Sequence, residues 1–157
     1  MDIKAVLEAK QKGKSVADYK KQDVRVEDSD AILTSSVDVL VLAALDDAVN
    51  EKNMEDVQAR YLLELANGPI TNKAATHMHK AGKTVIPDVL ANSGGVIVSY
   101  FEWLQNTKGE KWPESRVNRE LELMMKKATS DIYNHANEHN LSLKEAAMDI
   151  AVKRLTS

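Results

Sequence analysis

The chain contains no cysteine among its 157 residues. This excludes disulfides, thiolate zinc sites and a thiol nucleophile. Aromatic residues are scarce at 4%, although hydrophobic residues reach 43%. A core of ordinary size must therefore be built from Val, Leu, Ile, Ala and Met. There is no basic field: 21 Lys and Arg stand against 24 Asp and Glu, a net charge of −3. Nucleic acid is a poor candidate partner on that balance. No apolar run approaches the roughly 20 residues of a membrane span. The charged, polar N-terminus does not read as a signal peptide. The expectation is one domain's worth of soluble, cytoplasmic protein with no membrane partner.

What is present alternates. Residues 2–12 predict a weakly amphipathic helix with Ile3, Val6 and Leu7 on one side, ended by Gly13. Residues 14–30 are highly charged and read as a solvated connection, with a short helix at 27–34. The near-continuous apolar run at 37–42 predicts a strand covered on both faces. Residues 46–57 are polar and read as partly helical. A second strand is predicted at 61–65, ending at Ala66-Asn67-Gly68-Pro69, a strong turn signal. A helix follows at 71–81, capped by Thr71 or Asn72 and ended by Gly82. A third strand is predicted at 84–89.

Beyond it the pattern is helical only. Residues 94–106 carry Val96, Tyr100, Trp103 and Leu104 on helical spacing. Tyr100, Phe101 and Trp103 read as core packing. After a polar loop, Pro113 suits the first turn of another helix. Its stripe is Val117, Leu121, Met124, Ala128 and Ile132, and Asn140 ends it. Ser142-Leu-Lys-Glu145 is a capping box for a last helix with Leu143, Ala146, Ala147, Ile150 and Leu155 on one stripe.

Strands alternating with helices imply βαβ units and an α/β fold with a parallel sheet of about three strands. Such a sheet is small and leaves an unpaired edge unless something covers it. A dinucleotide-binding fold also opens with G-x-G-x-x-G after its first strand. None of the six glycines forms that pattern; the only close pair is Gly94-Gly95. The pair follows a polar turn at Asn92-Ser93 and precedes a helix, an arrangement that lets a ligand approach bare backbone.

The block Pro87-Asp88-Val-Leu-Ala-Asn92-Ser-Gly94-Gly95-Val96-Ile-Val-Ser99-Tyr100-Phe-Glu102-Trp103 resembles the signature of hexameric glutamate dehydrogenases. Glu64-Leu-Ala66-Asn67-Gly-Pro69 resembles that family's Glu-Gly-Ala-Asn-x-Pro turn. Val39–Asp47 resembles its strand ending in Pro-Ala-Ala-Leu-Glu-Asn. The similarity runs in order through nearly the whole chain. It implies a partial Rossmann-like parallel sheet, the second half of the NAD(P)-binding domain, over 1–106. A C-terminal helical segment at 107–157 would pack on the same domain. The family's phosphate loop and its catalytic lysines and aspartate would lie outside this chain, which leaves no catalytic residue here.

By the same resemblance, Asn67, Asn92, Gly94 and Gly95 would meet the nicotinamide end of NAD or NADP. Val96 and Ser99 would line the substrate pocket, with Ser99 donating to the side-chain carboxylate of L-glutamate. The two are three apart and share a helix face. The implied reaction is oxidative deamination to 2-oxoglutarate and ammonia, in a homo-oligomer. Three positions depart from the family: Leu65 stands for Gly, Asp47 for Asn and Leu42 for Pro. An ionised carboxylate only accepts hydrogen bonds, so Asp47 cannot make every contact of an amide.

One motif points elsewhere. His135-Ala-Asn-Glu138-His139 fits the inverted zinc-protease pattern H-x-x-E-H. It sits at the very end of its helix with no third ligand or cleft assignable. It reads as solvated surface, with no metal expected. His77 and His79 are two apart and face apart. Lys20-Lys21 and Lys126-Lys127 read as ordinary surface. Two functional readings remain. The chain is a piece of a glutamate dehydrogenase, inactive alone, or it is a non-catalytic α/β oligomerisation or interaction module.

Overall fold

The computed structural model describes residues 2–19 and 24–156; Lys20 and Lys21 lie outside the described residues. The chain divides into two compact units, residues 1–32 and 33–157. In the first, helix α1 (Ile3–Gln11) is capped by Asp2, whose carboxylate accepts the Ala5 N–H at 3.2 Å. Val6 is its buried residue. Two short 3₁₀ turns, Val16–Asp18 and Ser29–Ile32, complete the unit. The second replaces the longer helix predicted at 27–34.

The second unit is built on three parallel strands, β1 (Val39–Leu42), β2 (Tyr61–Glu64) and β3 (Thr84–Ile86), in the order β1-β2-β3. This is the expected α/β, partial Rossmann-like fold. Leu40 lies opposite Leu62, and Leu62 opposite Val85. These side chains meet helix α2 (Asn72–Lys80), the crossover between β2 and β3. Thr71 caps α2 by accepting the Ala74 N–H at 3.3 Å. Ala74 and Met78 of α2 close the core with Leu40, Leu42, Val49 and Leu62. Strand alternation sends Ile86 to the other face, where it joins a second cluster of Leu90, Ile132, Ala136, Ala146 and Ala147. Helices α5 (Glu114–His139) and α6 (Leu143–Thr156) supply most of that cluster.

Several expectations change. Strand β1 is not covered on both faces: Leu40 and Leu42 are buried but Val39 and Val41 are half exposed. The helices on the second face reach β3 and stop short of β1. The predicted partly helical stretch at 46–57 is a run of turns. Val49 within it forms an isolated parallel bridge with Ile70, and both side chains are buried. The third strand ends at Ile86 because Pro87 has no N–H for the ladder. A short helix α3 (Asp88–Ala91) then leads almost directly into α4 (Gly94–Lys108).

Helix α4 uses a face different from the one the spacing suggests. Phe101 is its buried residue, at 4% exposure, and stacks at a tilt on Trp112 with centroids 5.5 Å apart. Val96, Tyr100 and Trp103 face solvent, Trp103 at 60% exposure. Tyr100 and Trp103 stack on each other 5.9 Å apart and are not core. Helix α5 begins at Glu114 with Pro113 as its cap position, and ends where Asn140 turns left-handed at φ 53°. The capping box of α6 is present: Glu145 Oε2 accepts the Ser142 N–H at 2.9 Å, and Ser142 Oγ accepts the Glu145 N–H at 3.2 Å. Leu155, expected on the buried stripe of α6, is 88% exposed. None of the described helices is long and apolar enough to cross a membrane.

Candidate functional site

The carboxyl ends of the strands hold the candidate site, as parallel sheets usually arrange. Where β1 ends, the Leu42 carbonyl accepts both the Leu65 N–H at 2.9 Å and the Ala66 N–H at 2.8 Å. The first bond ends the β1–β2 ladder, and the second begins the turn after β2. Gly68 takes φ 56°, a left-handed turn that suits glycine. Its N–H donates to Asp88 Oδ2 at 2.8 Å. The Asp88 N–H in turn donates to Glu64 Oε2 at 3.0 Å. One aspartate thus joins the turn after β2 to the first turn of α3.

Glu64 anchors this joint and is fully buried. Burial pushes its carboxyl above the ordinary value of 4.5, against the opposing pull of the Asp88 N–H and of Lys144. Lys144 reaches in from α6, 3.5 Å from both carboxylate oxygens. Such a pair adds little net stability, but removing one partner leaves the other buried and uncompensated. Its consequence here is positional, because the same Glu64 carboxylate accepts the Asp88 N–H that joins the two turns.

Asn92, at the end of α3, donates from Nδ2 to Asn67 Oδ1 at 2.8 Å and lies 3.4 Å from the Leu65 carbonyl. An open groove of about 530 Å³ runs past this pair, lined by Leu65, Ala66, Asn67, Asn92, Gly95, Val96 and Ser99. Five of the six predicted site residues therefore share one surface. The sixth, Gly94, does not line it: a Cβ there would point at Leu121 Cδ1, 3.9 Å away. Neither glycine of the pair has a positive φ, and both lie inside α4. The expected polar turn at Asn92-Ser93 lies directly before α4, but the Gly pair forms the first turn of the helix and does not precede it. Gly95 instead contributes open space, since a Cβ there would meet nothing within 4 Å.

Ser99 is exposed on the groove, one turn after Gly95. Helical hydroxyls commonly bond back to the preceding turn. Thr107 and Thr129 do so, at 2.9 Å and 2.8 Å. Among the described residues Ser99 makes no such bond. Leu65, where the family pattern has glycine, needs no unusual backbone and puts its side chain into the groove. Asp47 takes φ 47°, which a short polar side chain tolerates, and its N–H donates to the Gly68 carbonyl at 2.9 Å.

The lining holds no titratable side chain. Its polar groups are two side-chain amides and one hydroxyl, which donate and accept hydrogen bonds. The Asn pair still offers directional chemistry. With Asn92 Nδ2 spent on Asn67 Oδ1, an acceptor remains at Asn92 Oδ1 and a donor at Asn67 Nδ2. Sequence reasoning did not assign Glu64 and Asp88 their positioning role. Their signals were a carboxylate ending an apolar strand and an acid directly after Pro87.

A second, more apolar cleft of about 540 Å³ lies among α3 to α6, lined by Leu90, Ile97, Met124, Ile132 and Ala147 with Lys127, Asp131 and Arg154 beside them. It contains none of the predicted residues.

The sequence profile of the Glutamate/Leucine/Phenylalanine/Valine dehydrogenase family matches residues 1–157. Among solved structures, glutamate dehydrogenase from Peptoniphilus asaccharolyticus is 37% identical over 74% of this chain and 29% of its own, with a TM-score of 0.69. The hetero-hexameric, Leu-bound glutamate dehydrogenase from Thermus thermophilus is 27% identical over 99% of this chain and 36% of its own, with a TM-score of 0.83. L-tryptophan dehydrogenase from Nostoc punctiforme, at 22% identity, shares the fold, with a TM-score of 0.70 over 99% of this chain and 42% of its own. This chain thus spans less than half the length of each.

Proposed function

The chain belongs to the Glutamate/Leucine/Phenylalanine/Valine dehydrogenase family, and from that premise we propose that its groove is the nicotinamide- and substrate-facing corner of a glutamate dehydrogenase. One observation carries the reading. Asn67, Asn92, Gly95, Val96 and Ser99, distant in sequence, line a single surface at the carboxyl ends of the strands. The remaining donor and acceptor of the Asn pair match a carboxamide such as that of NAD or NADP. Gly95 leaves room for a flat ring beside α4. Ser99 and Val96, one polar and one apolar, would then face L-glutamate or 2-oxoglutarate. The hydride chemistry belongs to the cofactor, and the protein's task is to hold the reacting C–H against it.

The half-exposed face of β1 supports a further part of this reading. Val39 and Val41 would be covered, and β1 paired, by the first half of the dinucleotide fold. That half would also bring the phosphate loop, and the family's separate substrate domain would bring the catalytic lysines and aspartate. The 157-residue chain alone is therefore expected to bind dinucleotide weakly and to show no glutamate-dependent formation of NADH or NADPH. Binding is tested by NMR on the labelled chain with millimolar NAD or NADP. Shifts confined to Asn67, Asn92 and Gly95, and lost in Asn92→Ala, are expected. Shifts elsewhere, or none at all, overturn the assignment.

A second reading is favoured by α4. Its Val96, Tyr100 and Trp103 face solvent, as an interaction surface would. On that reading the chain is a non-catalytic module that associates with itself or with another subunit through this face. Light scattering separates the two states: a monomeric mass at high concentration counts against self-association.

A further inference from the structure

The last turn of α5 carries the His135-Ala-Asn-Glu138-His139 motif, which the sequence alone reads as surface. The tertiary structure adds what the spacing lacks. His135, Glu138 and His139 each offer one ligand atom, and these atoms all lie within 4.8 Å of one another. The two imidazole rings stand 4.1 Å apart, centroid to centroid. Each ring also has an oxygen partner, one on α6 and one within the same turn. His135 Nε2 lies 2.5 Å from Asp149 Oδ2 on α6, and His139 Nδ1 lies 3.0 Å from the His135 carbonyl oxygen.

Oxygen partners of this kind orient the histidines of metal sites and set which nitrogen keeps its lone pair. The contact at His139 Nδ1 leaves Nε2 as its ligand atom. His135 is mostly buried, its side chain 15% exposed, so its ring is fixed by packing as well as by Asp149. Asp149 is itself fixed by Lys153, whose Nζ donates to Oδ2 at 2.8 Å. Glu138 and His139 are exposed, which leaves an approach from solvent. The C-terminal end of a 26-residue helix adds partial negative charge at the same place.

We propose that His135, Glu138 and His139 bind a divalent first-row transition ion of the zinc type, with Asp149 as the positioning carboxylate. Two imidazoles and one carboxylate suit zinc, nickel or copper, whereas magnesium and calcium take shells of oxygen. Three protein ligands leave a coordination position for water. Glu138 is a ligand here and not a general base, and the site is no part of the groove. Its effect is structural: the ion closes the last turn of α5 and, through Asp149, ties that turn to α6.

The test uses the 157-residue chain titrated with Zn²⁺ by calorimetry, with Tm read alongside. One saturable site and a raised Tm are expected, with no response to Mg²⁺. His139→Ala, an exposed position that leaves the fold intact, should lose at least about tenfold in affinity. Asp149→Asn should keep the stoichiometry and weaken binding by about tenfold or more. In the unaltered chain the ring nitrogens of His135 should shift in NMR on adding Zn²⁺. A double change of His77 and His79 to Ala should leave binding unchanged. No saturable binding, or equal affinity in His139→Ala, overturns the proposal.

Discussion

At the scale of single residues, the groove depends on a few polar contacts that reach across the sheet ends. Asn92→Ala removes the 2.8 Å bond to Asn67. It should cost only about 0.5–1.5 kcal/mol in urea unfolding while abolishing nicotinamide-dependent shifts at Asn67. Glu64 behaves differently because it is buried. Its folded-state carboxyl binds a proton more tightly than the ordinary carboxyl does. The penalty for its charge is fully present above the raised value and is relieved as pH falls toward 4.5. Relative to Glu64→Gln, the unaltered chain should therefore gain stability as pH falls through that window, measured by urea unfolding at several pH values. Glu145 works in the opposite sense. The Ser142 hydroxyl and N–H hold its carboxyl low, so its contribution is present above the ordinary value and is lost as pH falls through the lowered one. Ser142→Ala should cost about 1 kcal/mol at neutral pH, the usual size of a helix cap, and less in acid.

At the scale of elements, helix α4 separates the face that holds the fold from the face left to solvent. Phe101 is its anchor, packed on Trp112. Phe101→Ala should cost about 3–5 kcal/mol in chemical unfolding. Val96→Asp, at a position 73% exposed, should change stability by no more than about 0.5 kcal/mol. A large loss from Val96→Asp and a small one from Phe101→Ala would mean that α4 packs by its other face. The spacing of Val96, Tyr100 and Trp103 did not reveal this. An apolar stripe states that a face avoids water in the final assembly, not whether this chain or another covers it. Turns and caps were more legible. Thr71, Asn140 and the Ser142–Glu145 box all act where the sequence places them, because a cap satisfies backbone groups one turn away and needs no distant partner. Residues 46–57 read as partly helical in the sequence but form turns, because their order comes from outside the segment: Val49 pairs with Ile70 and is buried.

At the scale of the molecule, the 33–157 unit puts one sheet face under α2 and part of the other under α5 and α6, leaving β1 half open. Exposed apolar surface of that kind invites association. The purified chain is expected to sediment as a dimer or larger species at high concentration, and Val39→Lys with Val41→Lys should shift it toward monomer. A monomer under the same conditions would leave the open face without that role.

The sequence by itself determined the three short strands, their alternation with helices, the caps and the block from Pro87 to Trp103. These follow from local propensity, from periodicity and from motif order along the chain. Only the tertiary structure decided which residues share a surface. It brought Asn67 to Asn92 and left Gly94 out, drew Glu64, Asp88 and Lys144 into one joint, and set Asp149 behind His135. Each of those contacts joins segments far apart in the chain. The packing of the sheet and the helices closes such distances, and no local pattern encodes them.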